Sequence, residues 1–133
     1  MRTAVDTSVL LDVILDDAKF ADRSEAALRA AAGTGSLTLC ECVLAEIGPA
    51  FRPGDLDEFL GDWGLGFVPS TRESARLAGE MFALYLRRRH AAASRVLPDF
   101  LIGAHAQLTA DRLLARDRGY YRDYFKRLAL VTP

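Results

Sequence analysis

The chain has 133 residues, of which 50% are hydrophobic and 26% charged, and its formal net charge is −1. This balance is that of a folded globular protein and excludes a disordered chain. No apolar run approaches the roughly 20 residues of a membrane span, and acids from Asp6 onward are unlike a signal peptide, so we expect a soluble cytoplasmic protein.

The charge is unevenly divided along the chain. Residues 1–75 carry 6 Lys or Arg against 13 Asp or Glu, whereas residues 76–133 carry 11 against 5. Nearly all of the positive charge is arginine, whose guanidinium group suits forked contacts with phosphate. The asymmetry is compatible with an acidic site beside a basic surface, and equally with two halves that neutralise each other across the fold.

Short strands alternate with helices in the predicted structure. The first strand covers 2–5, and the helix over 7–15 is opened by Asp6 or Thr7, whose side-chain oxygens cap free backbone amides. This order favours βαβ units, so we predict one three-layer α/β/α domain over residues 1–133, with a mostly parallel sheet flanked by helices. In chain order the predicted elements are strand 2–5, helix 7–15, helix 23–32, strand 37–39, helix 42–50, helix 56–63, strand 66–68, a helix ending near 89 that Ser70 or Thr71 caps, loop 90–96, helix 99–109, strand 112–115, helix 120–124 and strand 128–131.

Several common nucleotide-binding and hydrolase motifs are missing from the sequence. The stretch GTGS (33–36) follows a helix and lacks the Gly-Lys-Ser/Thr of a phosphate-binding loop, so it predicts only the end of that helix. The histidines, His90 and His105, have no nucleophile elbow to serve. Cys40 and Cys42 are too close for an unstrained disulfide and lack the partners of a zinc site, which favours free thiols.

Four acidic residues lie where a parallel sheet gathers its sites, and each also has a simpler explanation. Asp6 follows the first strand and can be only a helix cap, while Asp117 follows a later strand and can be a turn residue between arginines. Glu46 lies on an apolar helix face, which by itself favours a rim residue or an ion pair. Asp99 follows Pro98 and is predicted to be the N-cap of its helix.

Together these four carboxylates are expected to converge at the carboxyl ends of the strands. Several carboxylates in one concavity raise one another's pKa, so they cannot all stay ionised without cations. Hard divalent ions with oxygen ligands, Mg²⁺ or Mn²⁺, meet that requirement. The chemistry that such a cluster serves is attack of a metal-activated water on a phosphodiester.

Four motifs that contain these acids occur in an order typical of one nuclease family. They are VDTSVLLD (5–12), CVLAEI (42–47), LPDFLIGAHA (97–106) and LLARDRGYYRDYF (113–125). On these motifs, which are spread over the whole length, the sequence resembles the PIN-domain nucleases, and within them the VapC toxins of bacterial and archaeal toxin–antitoxin systems. The resemblance implies a PIN-like α/β/α fold.

The resemblance also implies a function, a cofactor and partners. It implies a Mg²⁺- or Mn²⁺-dependent endoribonuclease that cleaves particular cellular RNAs, such as tRNA or rRNA, pairs as a homodimer and is restrained by a cognate VapB antitoxin. Two alternatives remain. One is a catalytically silent PIN module that binds RNA or a partner protein, and the other is a DNA-directed nuclease of the flap-endonuclease kind, whose extra helical clamp segments this chain lacks. The implied catalytic and metal-binding residues are Asp6, Glu46, Asp99 and Asp117.

Two residues near the acids bear on this resemblance. Ser8 stands where the family uses Ser or Asn, so its hydroxyl either orients a metal-bound water or caps the helix. The family commonly has a hydroxyl residue two positions before the last aspartate. Here that residue is Ala115, so a supporting hydrogen bond near Asp117 is expected to be missing.

The arginines nearest to the acids are the candidates for contacts with RNA phosphates. Arg95 precedes Asp99 in the predicted loop, and Arg116 and Arg118 flank Asp117. Because a guanidinium group donates two parallel hydrogen bonds to phosphate oxygens, all three are predicted to bind substrate.

Two further patterns are predicted to have structural roles. The aromatic residues between 120 and 125 could stack on bases, but their spacing favours packing against the fold. Asp12 is expected to face solvent together with the nearby Asp16 and Asp17.

Overall fold

The computed structural model describes residues 1–88, 96–116 and 119–133, and the elements in them follow the predicted order. None of the helices in these ranges is long and apolar enough to span a bilayer. The predicted loop over 90–96 lies almost wholly outside the described residues.

The strands are β1 (Arg2–Val5), β2 (Ser36–Leu39), β3 (Leu65–Phe67), β4 (Arg112–Leu114) and β5 (Leu130–Val131). The helices are α1 (Thr7–Ile14), α2 (Ala21–Thr34), α3 (Glu41–Ile47), α4 (Asp55–Trp63), α5 (Arg72–Arg88), α6 (Leu97–Thr109) and α7 (Tyr120–Tyr124), with a 3-10 turn, Gly48–Ala50, after α3.

The strands in the described residues form one parallel sheet with β1 at its centre. The strand order is β3-β2-β1-β4-β5, and every neighbouring pair is parallel, which confirms the predicted α/β class. Thr3 of β1 is paired with Leu37 of β2 on one side and with Arg112 of β4 on the other. The carboxyl end of β1 therefore lies between two other strand ends, where parallel α/β sheets place their sites.

Helices cover both faces of this sheet and give the predicted three layers. Ala4 and Val5 of β1 are both buried, as expected for a parallel strand covered on each face. Helix α6 is itself largely enclosed, because most of its residues from Phe100 to Ala106 are buried. A Cβ atom at Gly103 would lie 2.7 Å from the ring of Phe125, so glycine permits the close approach of α6 to that side chain.

The aromatic residues between 120 and 125 pack inside the fold, as their spacing predicted. Tyr121 and Phe125 are buried. The ring centroid of Tyr124 lies 5.2 Å from that of Phe100 in α6. Helix α7 is thus attached to α6 by ring contacts, and these two helices carry residues of the candidate site described below.

Helix α6 begins earlier than predicted, so the prediction that Asp99 is its N-cap is wrong. The helix starts at Leu97, and Val96 occupies the cap position without a side-chain hydrogen bond among the described residues. Pro98 is tolerated in the first turn because backbone amides there have no partner within the helix. Asp99 is the third helical residue, where the positive end of the helix dipole still favours a carboxylate.

Candidate functional site

A cavity of about 700 Å³ lies at the carboxyl end of β1 and brings together three of the four predicted acids. Asp6 reaches it from the end of the strand, Glu46 from α3 and Asp99 from the first turn of α6. These three acids therefore line one cavity, and their role as metal ligands stays a prediction. The fourth acid and two of the predicted phosphate contacts lie outside the described residues; they are Asp117, Arg95 and Arg118.

Asp6 is buried and held by hydroxyl groups on both of its carboxylate oxygens. The residue is only 6% exposed. The hydroxyl of Tyr121 donates to Oδ1 at 2.6 Å. Oδ2 accepts from the backbone N–H of Ser8 at 3.1 Å and from the Ser8 hydroxyl. Asp6 is thus the N-cap of α1, as predicted, while the Ser8 hydroxyl fixes Asp6 and is not itself the cap.

Tyr121 has a role that the sequence did not indicate. Burial raises the pKa of its phenol well above the usual value, and the carboxylates of Asp6, Asp99 and Glu46 raise it further. The phenol therefore stays protonated near neutral pH and remains a donor to Asp6. Its aromatic neighbours predicted packing, and nothing in the local sequence points to an acid 115 residues away.

Glu46 and Asp99 both line the cavity. The hydroxyl of Thr7 donates to Oε1 of Glu46 at 2.7 Å, which ties α3 to the start of α1. Burial raises the pKa of the Cys42 thiol to about 12, with further contributions from both carboxylates. Cys42 and Cys40 are free thiols, as predicted.

The donor chemistry of this cavity fits a hard divalent cation. Three carboxylates line it, and oxygen ligands are those that Mg²⁺ and Mn²⁺ prefer. In the ranges 1–88, 96–116 and 119–133 no three acidic, histidine or cysteine side chains are close enough together to hold an ion, and Asp117 lies outside these ranges. Asp6, Glu46 and Asp99 are the described residues that would hold such an ion, because their carboxylates line this cavity.

The prediction that Asp12 faces solvent is wrong. Its side chain is only 3% exposed and accepts two hydrogen bonds from Arg116, from Nε at 2.9 Å and Nη2 at 3.0 Å. The hydroxyl of Ser24 in α2 donates to the same carboxylate at 2.7 Å. A carboxylate on the inner face of α1 is tolerated here because a cation and a hydroxyl replace the water that it loses.

Arg116 lines the cavity, but two N–H groups of its guanidinium group donate to the Asp12 carboxylate. Both of the nitrogens named above bind Asp12, and the guanidinium group lies 4.1 Å from the ring centroid of Phe20. Its backbone N–H donates to the Ser8 hydroxyl at 3.2 Å, which links this ion pair to Asp6. The side chain is 36% exposed, and its contact with RNA phosphate remains a prediction.

A second arginine on the cavity was not singled out by the sequence. Arg23 and Phe20, from the start of α2, both line the cavity. The guanidinium group of Arg23 lies 5.0 Å from the centroid of the Phe20 ring. The helix that carries Arg23 was predicted, but its position beside the acids depends on how α1 and α2 pack, which local sequence does not indicate.

The family model of the PIN domain matches residues 3–126. No curated protein matches the sequence.

Solved structures with the same fold include two VapBC structures and FitAcB. VapBC2 from Rickettsia felis, bound to a DNA fragment from their promoter, has a TM-score of 0.71 and 21% identity over 99% of this chain and 98% of that chain. VapBC-1 from nontypeable Haemophilus influenzae has a TM-score of 0.69 and 12% identity, again over 99% and 98%. FitAcB from Neisseria gonorrhoeae has a TM-score of 0.61 and 17% identity over 96% and 95%. At such identities the similarity establishes the fold.

Proposed function

This chain belongs to the PIN domain family, and from that premise we propose that it is a Mg²⁺- or Mn²⁺-dependent endoribonuclease, the toxin of a toxin–antitoxin pair. The observation that carries the proposal is the convergence of Asp6, Glu46 and Asp99 on one cavity at the carboxyl end of the central strand. Asp117 is the proposed fourth acid of the site.

The proposed mechanism assigns a role to each described group. A bound divalent ion supplies positive charge to a phosphodiester and lowers the pKa of a water molecule. Asp6 and Asp99 would hold the ion, and Glu46 would complete the ligand set or position the attacking water. The hydroxyls of Ser8 and Tyr121 keep the Asp6 carboxylate in one orientation, because each binds a different oxygen.

Tyr121 also bears on the missing hydroxyl at Ala115. The Ala115 side chain is buried and apolar, so it offers no hydrogen bond to the acids. The Tyr121 hydroxyl supplies a donor from the other side of the same β4–α7 connection. We propose that this donor maintains the orientation of the acidic site in the absence of a hydroxyl at 115.

The fold and the assemblies in which similar proteins were solved support the proposal of a protein partner. Two of the similar structures are VapBC complexes, and one of them also holds promoter DNA. We propose a cognate VapB-type antitoxin as the protein partner of this chain, RNA as its substrate and a homodimer as its assembly.

The nuclease activity is tested with the purified chain, free of antitoxin, and structured cellular RNAs. We expect cleavage with Mg²⁺ or Mn²⁺, loss of cleavage on chelation with EDTA and recovery when excess metal is added back, because the proposed attacking water needs the ion. Electrophoresis and mapping of the new RNA ends measure the outcome. Cleavage that survives chelation would contradict the metal mechanism, and calorimetric metal binding without cleavage would favour a catalytically silent module.

Tyr121→Phe is expected to lower the affinity for Mn²⁺ by about 10- to 100-fold, because the Asp6 carboxylate loses the hydroxyl that orients it. Titration calorimetry measures this affinity. Tyr124→Phe is the matched control, since Tyr124 lies on the same helix and its ring packs against Phe100. Wild-type Mn²⁺ affinity in Tyr121→Phe would remove the proposed orienting role, while circular dichroism checks that both variants fold.

A further inference from the structure

The cationic part of the cavity lining is built around one aromatic ring. The ring of Phe20 has the guanidinium group of Arg116 at 4.1 Å from its centroid, that of Arg23 at 5.0 Å and the ammonium group of Lys19 at 5.2 Å. Arg23 and Arg116 also line the cavity that contains Asp6, Glu46 and Asp99. Two guanidinium groups and three carboxylates therefore border the same space.

The two arginines differ in what their donors bind. Arg116 gives two hydrogen bonds to the buried carboxylate of Asp12. Arg23 is exposed, and among residues 1–88, 96–116 and 119–133 it forms no ion pair. Its contact with Phe20 restricts the side chain without using its N–H groups, which remain available for an anion.

We infer that Arg23, resting on Phe20, is a binding subsite for a phosphate of the RNA strand next to the phosphodiester that is cut. The inference rests on the proposed ribonuclease function and adds a substrate-binding residue to it. An RNA strand that approaches three carboxylates is repelled, and a guanidinium group in the same cavity offsets that repulsion at a backbone phosphate.

The subsite recognises the backbone and not a base. Guanidinium groups already occupy the surroundings of the Phe20 ring, so the ring supports the cations and does not present a free platform for stacking. Phosphate contacts position a strand without reading its sequence. Arg23 is therefore expected to contribute equally to RNAs of different sequence.

The test compares Arg23→Gln with Arg29→Gln in the full-length chain. Arg29 is a matched control because it lies on the same helix and rests on the ring of Trp63 at 5.1 Å, but it does not line the cavity. Binding of a short fluorescein-labelled single-stranded RNA is measured by anisotropy in an Asp6→Asn background, over a series of salt concentrations. Arg23→Gln should weaken binding about tenfold and reduce the slope of log affinity against log salt by about 0.7 to 1.

The control and a conservative variant sharpen this expectation. Arg29→Gln should leave the salt slope unchanged, and Arg23→Lys should keep it while losing part of the affinity, because the charge remains and the fork is lost. An unchanged slope in Arg23→Gln, or an equal decrease in both glutamine variants, would overturn the subsite.

Cleavage kinetics separate the subsite from the nuclease function itself. With Asp6 intact, Arg23→Gln is expected to raise KM about tenfold with kcat within about twofold of wild type, as for lost uniform binding. If Arg23→Gln cleaves with wild-type KM and binds RNA with the wild-type slope, the subsite is wrong and the nuclease function stands. If the wild-type chain cleaves no RNA with either metal, the nuclease function and the inference built on it both fall.

Discussion

Asp6→Asn is expected to lower the rate of RNA cleavage on the order of 10³-fold while the chain stays folded. The substitution removes the charge that would hold a divalent cation at the carboxyl end of the central strand. Loss of one such ligand removes several kcal/mol of transition-state stabilisation in comparable electrostatic sites. Initial rates at saturating Mg²⁺, measured on one defined RNA, give the change directly.

The folded state should tolerate Asn at this position. Asn is as good an N-cap as Asp, so the hydrogen bond to the backbone N–H of Ser8 can be kept. The hydroxyls of Ser8 and Tyr121 can either donate or accept, so the new amide group finds a partner at both of its ends. A loss of cleavage in this variant therefore reports on charge and not on unfolding.

Asp16→Asn supplies the matched control for the same chemical change. Asp16 is exposed and has a positive φ of 49°, a conformation that Asn adopts readily. This variant should cleave RNA at the wild-type rate. If Asp6→Asn also cleaved at that rate, Asp6 would not belong to the metal-binding site.

The parts of the site that the sequence predicted are those with local signals. The alternation of apolar strands and helices predicted a parallel sheet, and Asp6 directly follows a strand, so its place at a strand end required no knowledge of distant contacts. The apolar residues around Glu46 likewise predicted a helix at this position, and α3 is found there. The N-cap prediction for Asp99 failed because the sequence locates the end of a helix only to within one or two residues. Leu97 and Pro98 are already helical, so α6 begins two residues before Asp99.

The parts that the sequence missed are contacts between distant segments. Asp12 has acidic neighbours at 16 and 17, which favoured a solvent-facing assignment, and its partner Arg116 lies 104 residues away. The spacing of Tyr121 and its aromatic neighbours predicted packing alone, whereas the structure shows that its hydroxyl also donates to Asp6. Both contacts depend on the parallel pairing of β1 with β4, which brings the C-terminal part of the chain to the start of α1.

The Asp12–Arg116 ion pair contributes to stability and also supports the acidic site. This pair holds the Arg116 side chain, and the Arg116 N–H is linked to Asp6 through the Ser8 hydroxyl. A carboxylate that binds no metal in the proposed mechanism thereby supports the position of Asp6, which does. Breaking this ion pair is expected to lower the free energy of unfolding. The loss should differ according to whether Arg116 or Asp12 is replaced.

Arg116→Gln is expected to lower the free energy of unfolding by about 3–5 kcal/mol, because it leaves the buried Asp12 carboxylate with the Ser24 hydroxyl in place of a cation. Asp12→Asn should cost less, about 1–2 kcal/mol, since the Arg116 side chain is 36% exposed and can turn to water. Urea unfolding of the full chain measures both values.

Two comparisons determine whether burial is the cause of this asymmetry. The double variant Asp12→Asn with Arg116→Gln should be less destabilised than the sum of the single variants, because no buried charge is then left without a partner. Arg29→Gln breaks the exposed pair with Glu25 and should cost no more than about 0.5 kcal/mol. Equal losses for Arg116→Gln and Asp12→Asn, or a loss for Arg116→Gln no larger than that for Arg29→Gln, would contradict the prediction. The ion pair would then contribute to the site only through geometry.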